Sequence, residues 1–186
     1  KLKLNSGAYQ TMNADQTLDV PTINGQSWTQ PSYYCFKNIT NIVSGAGLNA
    51  RFTIADLVSQ GGSGRFGGWS IVVVYKNVLQ SMRNLTVFDG FANVNSGNSL
   101  DIPISGFTTP LSGPVNFELG VIALDGDRDS QGDQLQFNGA GTFVNVSDAL
   151  HQTNNFFNST VSNNAVLTPF RLPNYSNTLG YDAGIF

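Results

Sequence analysis

The apolar residues of this chain come in short runs, and no stretch keeps a helical rhythm for more than about ten residues. That alone argues against a helical fold. The strongest run, Gly68-Trp-Ser-Ile-Val-Val-Val-Tyr, is continuous and β-branched at its centre, the pattern of a strand covered on both faces. Residues 33–43 are aromatic and β-branched and read as another strand. In residues 83–94, Leu85, Val87 and Phe91 alternate with polar neighbours. Residues 100–107 repeat with period two and carry Pro103, which suits an edge. Val115, Phe117 and Leu119 alternate before 121–124 turn uniformly apolar, and Leu135 and Phe137 make a short strand. Leu18, Val20 and Ile23 alternate more weakly near the start. Helical spacing is confined to Ile54, Leu57 and Val58, ahead of the Gly-rich stop at 61–64, and to a turn within 145–152 with Ser147 as its N-cap. Short strands separated by Gly, Pro and Asn predict an all-β chain: an antiparallel β-sandwich of jelly-roll type with one or two short helical turns. The 186 residues suit a single domain, with residues 1–31 as an outer strand or stalk segment.

Composition narrows the setting. Only 11% of residues are charged, and Asn, Ser, Thr, Gln and 20 Gly take their place. Such a surface suits an extracellular β-protein. The net charge of −3 argues against nucleic acid and against docking on an anionic membrane. No apolar run approaches the roughly 18 residues of a membrane span, so no direct membrane insertion is expected. The one cysteine, Cys35, rules out an intramolecular disulfide and reads as a small buried hydrophobe. The opening Lys-Leu-Lys-Leu has no signal-peptide core, so an exported protein would have lost its signal or been cut from a longer chain. Five Asn-x-Ser/Thr sequons occur, at Asn38, Asn84, Asn145, Asn158 and Asn174, close to chance in a chain this rich in those residues.

Inorganic chemistry is suggested in one place, residues 121–139, which open as a buried strand and close as an alternating one. Asp125, Asp127, Asp129 and Asp133 lie between, a spacing at which a loop can wrap Ca²⁺ with carboxylates, carbonyls and water. The loop is not an EF-hand, having no Glu at the twelfth position. Arg128 supports the alternative, a solvated turn whose carboxylates cap backbone amides. Asp89 and Asp182 sit in acidic turns that either join a metal site in space or are ordinary turns. His151 is the only histidine, so a Ser-His-Asp or Cys-His site, with Ser147 and Asp148 nearby in sequence, or a zinc site would have to use it. Glu118 is the only glutamate, and nothing in the sequence selects its partner for glycoside hydrolysis. The Gly61-Gly-Ser-Gly turn lacks the Lys-Ser/Thr of a phosphate loop.

Amides and aromatics suggest a different chemistry. Asn154, Asn155, Phe157, Asn158, Tyr175 and Tyr181 fall on loop-like sequence and offer ring faces and planar amides, the groups that hold a sugar. Trp28, Tyr33 and Tyr34 form a second aromatic patch. The alternative is that Phe156 or Phe157 anchors its loop in the core while the asparagines make turns.

Several blocks carry a resemblance. They are Ala55-Asp-Leu-Val, Gly67-Gly-Trp-Ser-Ile-Val-Val-Val-Tyr, Arg83-Asn-Leu-Thr-Val-Phe-Asp-Gly-Phe, Gly106-Phe-Thr-Thr-Pro, Leu119-Gly-Val-Ile-Ala-Leu-Asp-Gly-Asp, Gly132-Asp-Gln-Leu-Gln-Phe-Asn-Gly, Asn154-Asn-Phe-Phe-Asn-Ser-Thr-Val-Ser and Asn174-Tyr-Ser-Asn-Thr-Leu-Gly-Tyr-Asp-Ala. In that order, over residues 52–186, the chain resembles an adhesin-like β-domain of large secreted or surface-attached bacterial proteins. The resemblance implies an extracellular or cell-surface location and little chemistry. Three functions are therefore expected, in this order. The first is a non-enzymatic adhesion domain that recognises a glycan or another cell-surface ligand. The second is a stalk or filament module that forms homo-oligomers. The third is a carbohydrate-active enzyme using Glu118.

Overall fold

The computed structural model describes residues 1–19, 22–23, 26–27, 32–62, 65–139 and 141–186. Val20, Trp28, Ser63 and Gly64 lie outside them. The chain is all-β: among the described residues, strands account for nearly all the regular structure, with one short helix. It divides into two compact units, residues 1–58 with 72–111, and residues 59–71 with 112–186.

The first unit is built from two-stranded ladders. Strand β1 (Leu2–Leu4) pairs antiparallel with a strand at Phe52–Ile54, which places Leu2 opposite Ile54. β2 (Gln16–Asp19) pairs with a strand at Tyr33–Phe36, and Thr22–Ile23 (β3) pairs antiparallel with Gln26–Ser27 (β4). In chain order Tyr33–Phe36 is β5 and Phe52–Ile54 is β6. The strand expected over 33–43 stops at Phe36, and Thr40–Ser44 forms the helix α1. Side chains cause the break: Asp15 Oδ2 accepts the Asn38 N–H at 2.8 Å, and Asn38 Oδ1 accepts the Thr40 N–H at 2.9 Å. The helical turn expected around Ile54 is a strand instead. β1 offers it a ladder, the N-terminal ammonium donates to the Ala55 carbonyl at 2.7 Å, and Asp56 turns the chain away at φ 57°. Cys35 is exposed on β5, not buried.

The second unit holds the main sheet, ordered β11–β10–β12–β7. Its strands are β7 (Gly120–Gly126), β10 (Val161–Asn163), β11 (Val166–Leu167) and β12 (Gly180–Ile185). β12 runs antiparallel to β7, pairing Ala183 with Ile122. β10 and β12 are parallel, which corrects the expectation of an antiparallel arrangement at this one seam. The long excursion through residues 164–179 supplies the crossover that a parallel pair requires. β8 (Gln136–Phe137) and β9 (Val144–Asn145) form a small separate hairpin. Phe137 stacks on Phe117 with centroids 4.5 Å apart. The core of the unit is Phe156, 1% exposed, with Phe157, Phe186 and His151 around it at centroid distances near 5 Å.

Among the described residues no strand lies between β6 and β7. The strands expected at 68–75, 83–94, 100–107 and 115–119 have no ladder partners there. Alternation records fitness for a half-covered pleat and cannot name the neighbour that covers it. Val72, Val73, Val74 and Tyr75 are accordingly exposed. No helix among the described residues is long and apolar enough to cross a membrane.

Candidate functional site

Where β7 ends, the chain turns sharply at Asp125, φ 67°. Gly126 follows in a position where a Cβ would collide with Asp182 Oδ2 and the Phe157 carbonyl. The Gly126 carbonyl accepts the Ser159 hydroxyl at 2.6 Å, and that hydroxyl oxygen accepts the Gly180 N–H at 2.8 Å. The acidic loop then runs along residues 154–158 and is tied to them repeatedly. The Arg128 carbonyl accepts Asn155 Nδ2 at 2.7 Å. The Gly132 N–H donates to the Asn154 carbonyl at 2.9 Å. Asp133 Oδ1 accepts the Phe157 N–H at 2.6 Å. The two stretches singled out in the sequence, one for metal and one for ligand, are thus one interlocked body.

A second carboxylate clamps the same loop from beneath. Asp182 on β12 is 3% exposed, and its Oδ1 accepts the Thr160 N–H at 2.8 Å. Burial pushes its carboxyl above the usual range, while the amides of Thr160, Ser159 and Asn158 oppose the shift. Asn158 Nδ2 donates to the Leu150 carbonyl at 2.8 Å. Asn155 Oδ1, Asn158 Oδ1 and Asp182 Oδ2 are buried acceptors with no donor among the described residues.

His151, 2% exposed, is held on both ring nitrogens: Nδ1 lies 2.8 Å from the Phe156 carbonyl and Nε2 lies 2.9 Å from Ser162 Oγ. A carbonyl can only accept, so Nδ1 carries a proton and donates it. Ser162, a residue the sequence did not single out, completes this pair. The void beside the His151 ring is about 10 Å³, the room of a single water and far too small for a substrate. Asp148 serves the same turn differently. Its Oδ1 accepts the N–H groups of Leu150 and His151 at 2.8 and 2.9 Å, so Asp148 takes the capping role expected of Ser147. The result is a turn in place of the expected helix.

The candidate residues fall into three groups. Asp125, Asp127, Asp129 and Asn154 are exposed along the loop, as is Tyr175 at 62%. Asp133, Asn155, Phe157 and Asn158 are half-buried and lock the loop. Tyr181 is half-buried on β12, its ring close against Gly68 and its hydroxyl bonded to Ser70 Oγ. Burial raises the Tyr181 hydroxyl above its usual range. For Asp125, burial and then the neighbouring Asp127 charge raise the carboxyl. Among the described residues no three acidic, His or Cys side chains converge as metal ligands. Asp89 is engaged by the Tyr34 hydroxyl, and Tyr33 donates to the Val58 carbonyl at 2.5 Å, so those tyrosines of the second patch are tied down. Burial, then the Asp89 hydrogen bond, pushes the Tyr34 hydroxyl up to about 12. Glu118 is exposed. No protein family, curated protein or solved structure matches the chain.

Proposed function

We propose that this is a non-enzymatic bacterial surface-adhesion domain that recognises a glycan, acting outside the cell. One observation carries the reading. The acidic loop and the amide-rich loop are locked together by backbone and side-chain hydrogen bonds, yet leave Asp127, Asp129, Asn154 and Tyr175 exposed. The locked carboxylates and amide suit sugar hydroxyls, because little ordering of the loops remains to be done on binding, and the exposed Tyr175 ring suits C–H faces. The finer architecture proposed with it is an antiparallel β-sandwich of jelly-roll type, with the four-stranded sheet as one layer. Ca²⁺ belongs to the same proposal. Burial and then the Asp127 charge raise the Asp125 carboxyl, a cost that a hard cation bound at the loop would offset. Asp129 and Asp133 would complete the carboxylate set. The test is a glycan array run in millimolar calcium and again in EDTA. Binding in calcium alone supports both parts, binding in both conditions removes the metal, and no binding in either defeats the lectin reading.

The second reading, a stalk or filament module that self-associates, is favoured by a different observation: the exposed apolar run at residues 72–75. Its test is the solution mass as a function of concentration.

A further inference from the structure

The main sheet ends on β7, and the far side of that strand has no ladder partner among the described residues. Register tells which backbone groups lie there. Leu119 and Phe186 exchange both of their backbone hydrogen bonds, at 2.8 and 3.0 Å. An antiparallel ladder alternates, so Val121 and Ala123 also face β12, while Gly120, Ile122 and Leu124 direct their N–H and C=O groups outward. A row of unpaired donors and acceptors is a template for another extended chain. Proteins ordinarily blunt such an edge with lysine, proline or a bulge. Residues 120–124 are Gly-Val-Ile-Ala-Leu and carry none of these, the one irregularity of the ladder lying at its Gly180 end. Ile122, in the middle, is 51% exposed.

The chain also holds a segment that lacks what this edge offers. Residues 71–76 are Ile-Val-Val-Val-Tyr-Lys, have no ladder partner among the described residues, and are exposed from 72 to 76. β-Branched side chains suit a pleated surface, and the missing neighbour is a strand. Charge sets the direction. Laid parallel and in register, residues 71–75 run beside 120–124 and Lys76 falls beside Asp125. Neither of those two belongs to an ion pair among the described residues. The antiparallel alignment would instead set Asp125 against Ile71. A parallel pair within one chain needs a long crossover, but between two molecules it needs no connection.

We infer that the outer edge of β7 is the acceptor for residues 71–76 of a second copy, which add to the main sheet as a fifth strand parallel to β7. The inference rests on the self-association reading and supplies its acceptor. Donor and acceptor are different surfaces, so the contact is head-to-tail and propagates into a ring or a filament.

The test is sedimentation velocity on wild type, Val74→Lys, Ile122→Lys and an equimolar mixture of the two variants. Wild-type mass is expected to grow with concentration, and each variant alone to stay monomeric with an unchanged Tm. The mixture is expected to form a dimer and stop there, because the intact run of one variant docks on the intact edge of the other and both remaining surfaces are blocked. Hydrogen exchange of wild type needs no variant: from dilute to concentrated solution the amides of Ile122 and Leu124 should slow at least about tenfold, while those of Val121 and Ala123 stay protected throughout. Association of Ile122→Lys equal to wild type, a mixture that stays monomeric, or Ile122 and Leu124 exchange unchanged while the mass grows, overturns the β7 acceptor and leaves self-association standing. Wild type that is monomeric at every concentration overturns both.

Discussion

At Asp182, burial and hydrogen bonding act in opposite directions. The carboxylate accepts the Thr160 N–H but has little access to water, and burial dominates, so its carboxyl titrates above the usual value. The sign follows from linkage. A native state that holds the proton more tightly than the unfolded chain gains stability from this group at low pH, and the gain is lost as pH rises through the native value. Asp182→Asn keeps the acceptor for Thr160 and removes the titration. As pH falls through the window above 3.8, wild type should gain on the variant by up to about 1.4 kcal/mol per pH unit. Urea melts at a series of pH values measure this, and parallel curves for the two proteins would refute the raised carboxyl. Asp125 shifts in the same direction, whereas Asp15 and Asp56, held low by hydrogen bonds from Lys37 and Lys1, lose their contribution as pH falls. Gly126 makes a steric counterpart. A methyl there meets the Asp182 carboxylate and the Phe157 carbonyl, so Gly126→Ala is expected to cost about 1–3 kcal/mol in thermal or urea unfolding.

At the level of elements, the pivotal contact is Asp133 to the Phe157 amide, because it fastens a loop leaving β7 to a loop entering β10. Asp133→Ala should destabilise the fold by about 1–2 kcal/mol and deprotect the amides of residues 155–158 in hydrogen exchange, with the β7–β12 ladder unchanged. Uniform loss of protection across the sheet would show that the loops have no independent stability. Sequence patterning anticipated the individual pieces here. Residues 121–124 are a strand, Phe156 or Phe157 was the anchor, and the acidic and amide-rich loops stood out by composition. It could not bring the two loops together, since a carboxylate capping an amide 24 residues away leaves no local periodicity. Asp182 and Ser162 were hard to recognise for the same reason: their partners, Thr160 and His151, are fixed by strand register. At 68–75 the reading failed differently. A β-branched run states that its side chains need cover, and that need is the same whether or not a ladder partner is adjacent.

For the whole molecule, that run raises the question of what covers it. Val74 is 60% exposed and Tyr75 74%, and Val72 and Val73 are also exposed. Fully covering a valine is worth about 1.5–3 kcal/mol, so half-covering these four side chains would release several kcal/mol. A second copy of the chain is the cover available to every molecule in a pure solution, and the expected outcome is reversible association that grows with concentration in sedimentation velocity. Val74→Lys places a charge in the middle of the run and should return the protein to a monomer, leaving Tm at low concentration unchanged. The opposite pattern, a lowered Tm with the mass already monomeric in wild type, would mean that a second layer of the same chain covers the run. That result would favour the sandwich and weaken the filament reading. The two patterns exclude each other because an intermolecular cover depends on concentration and an intramolecular one does not.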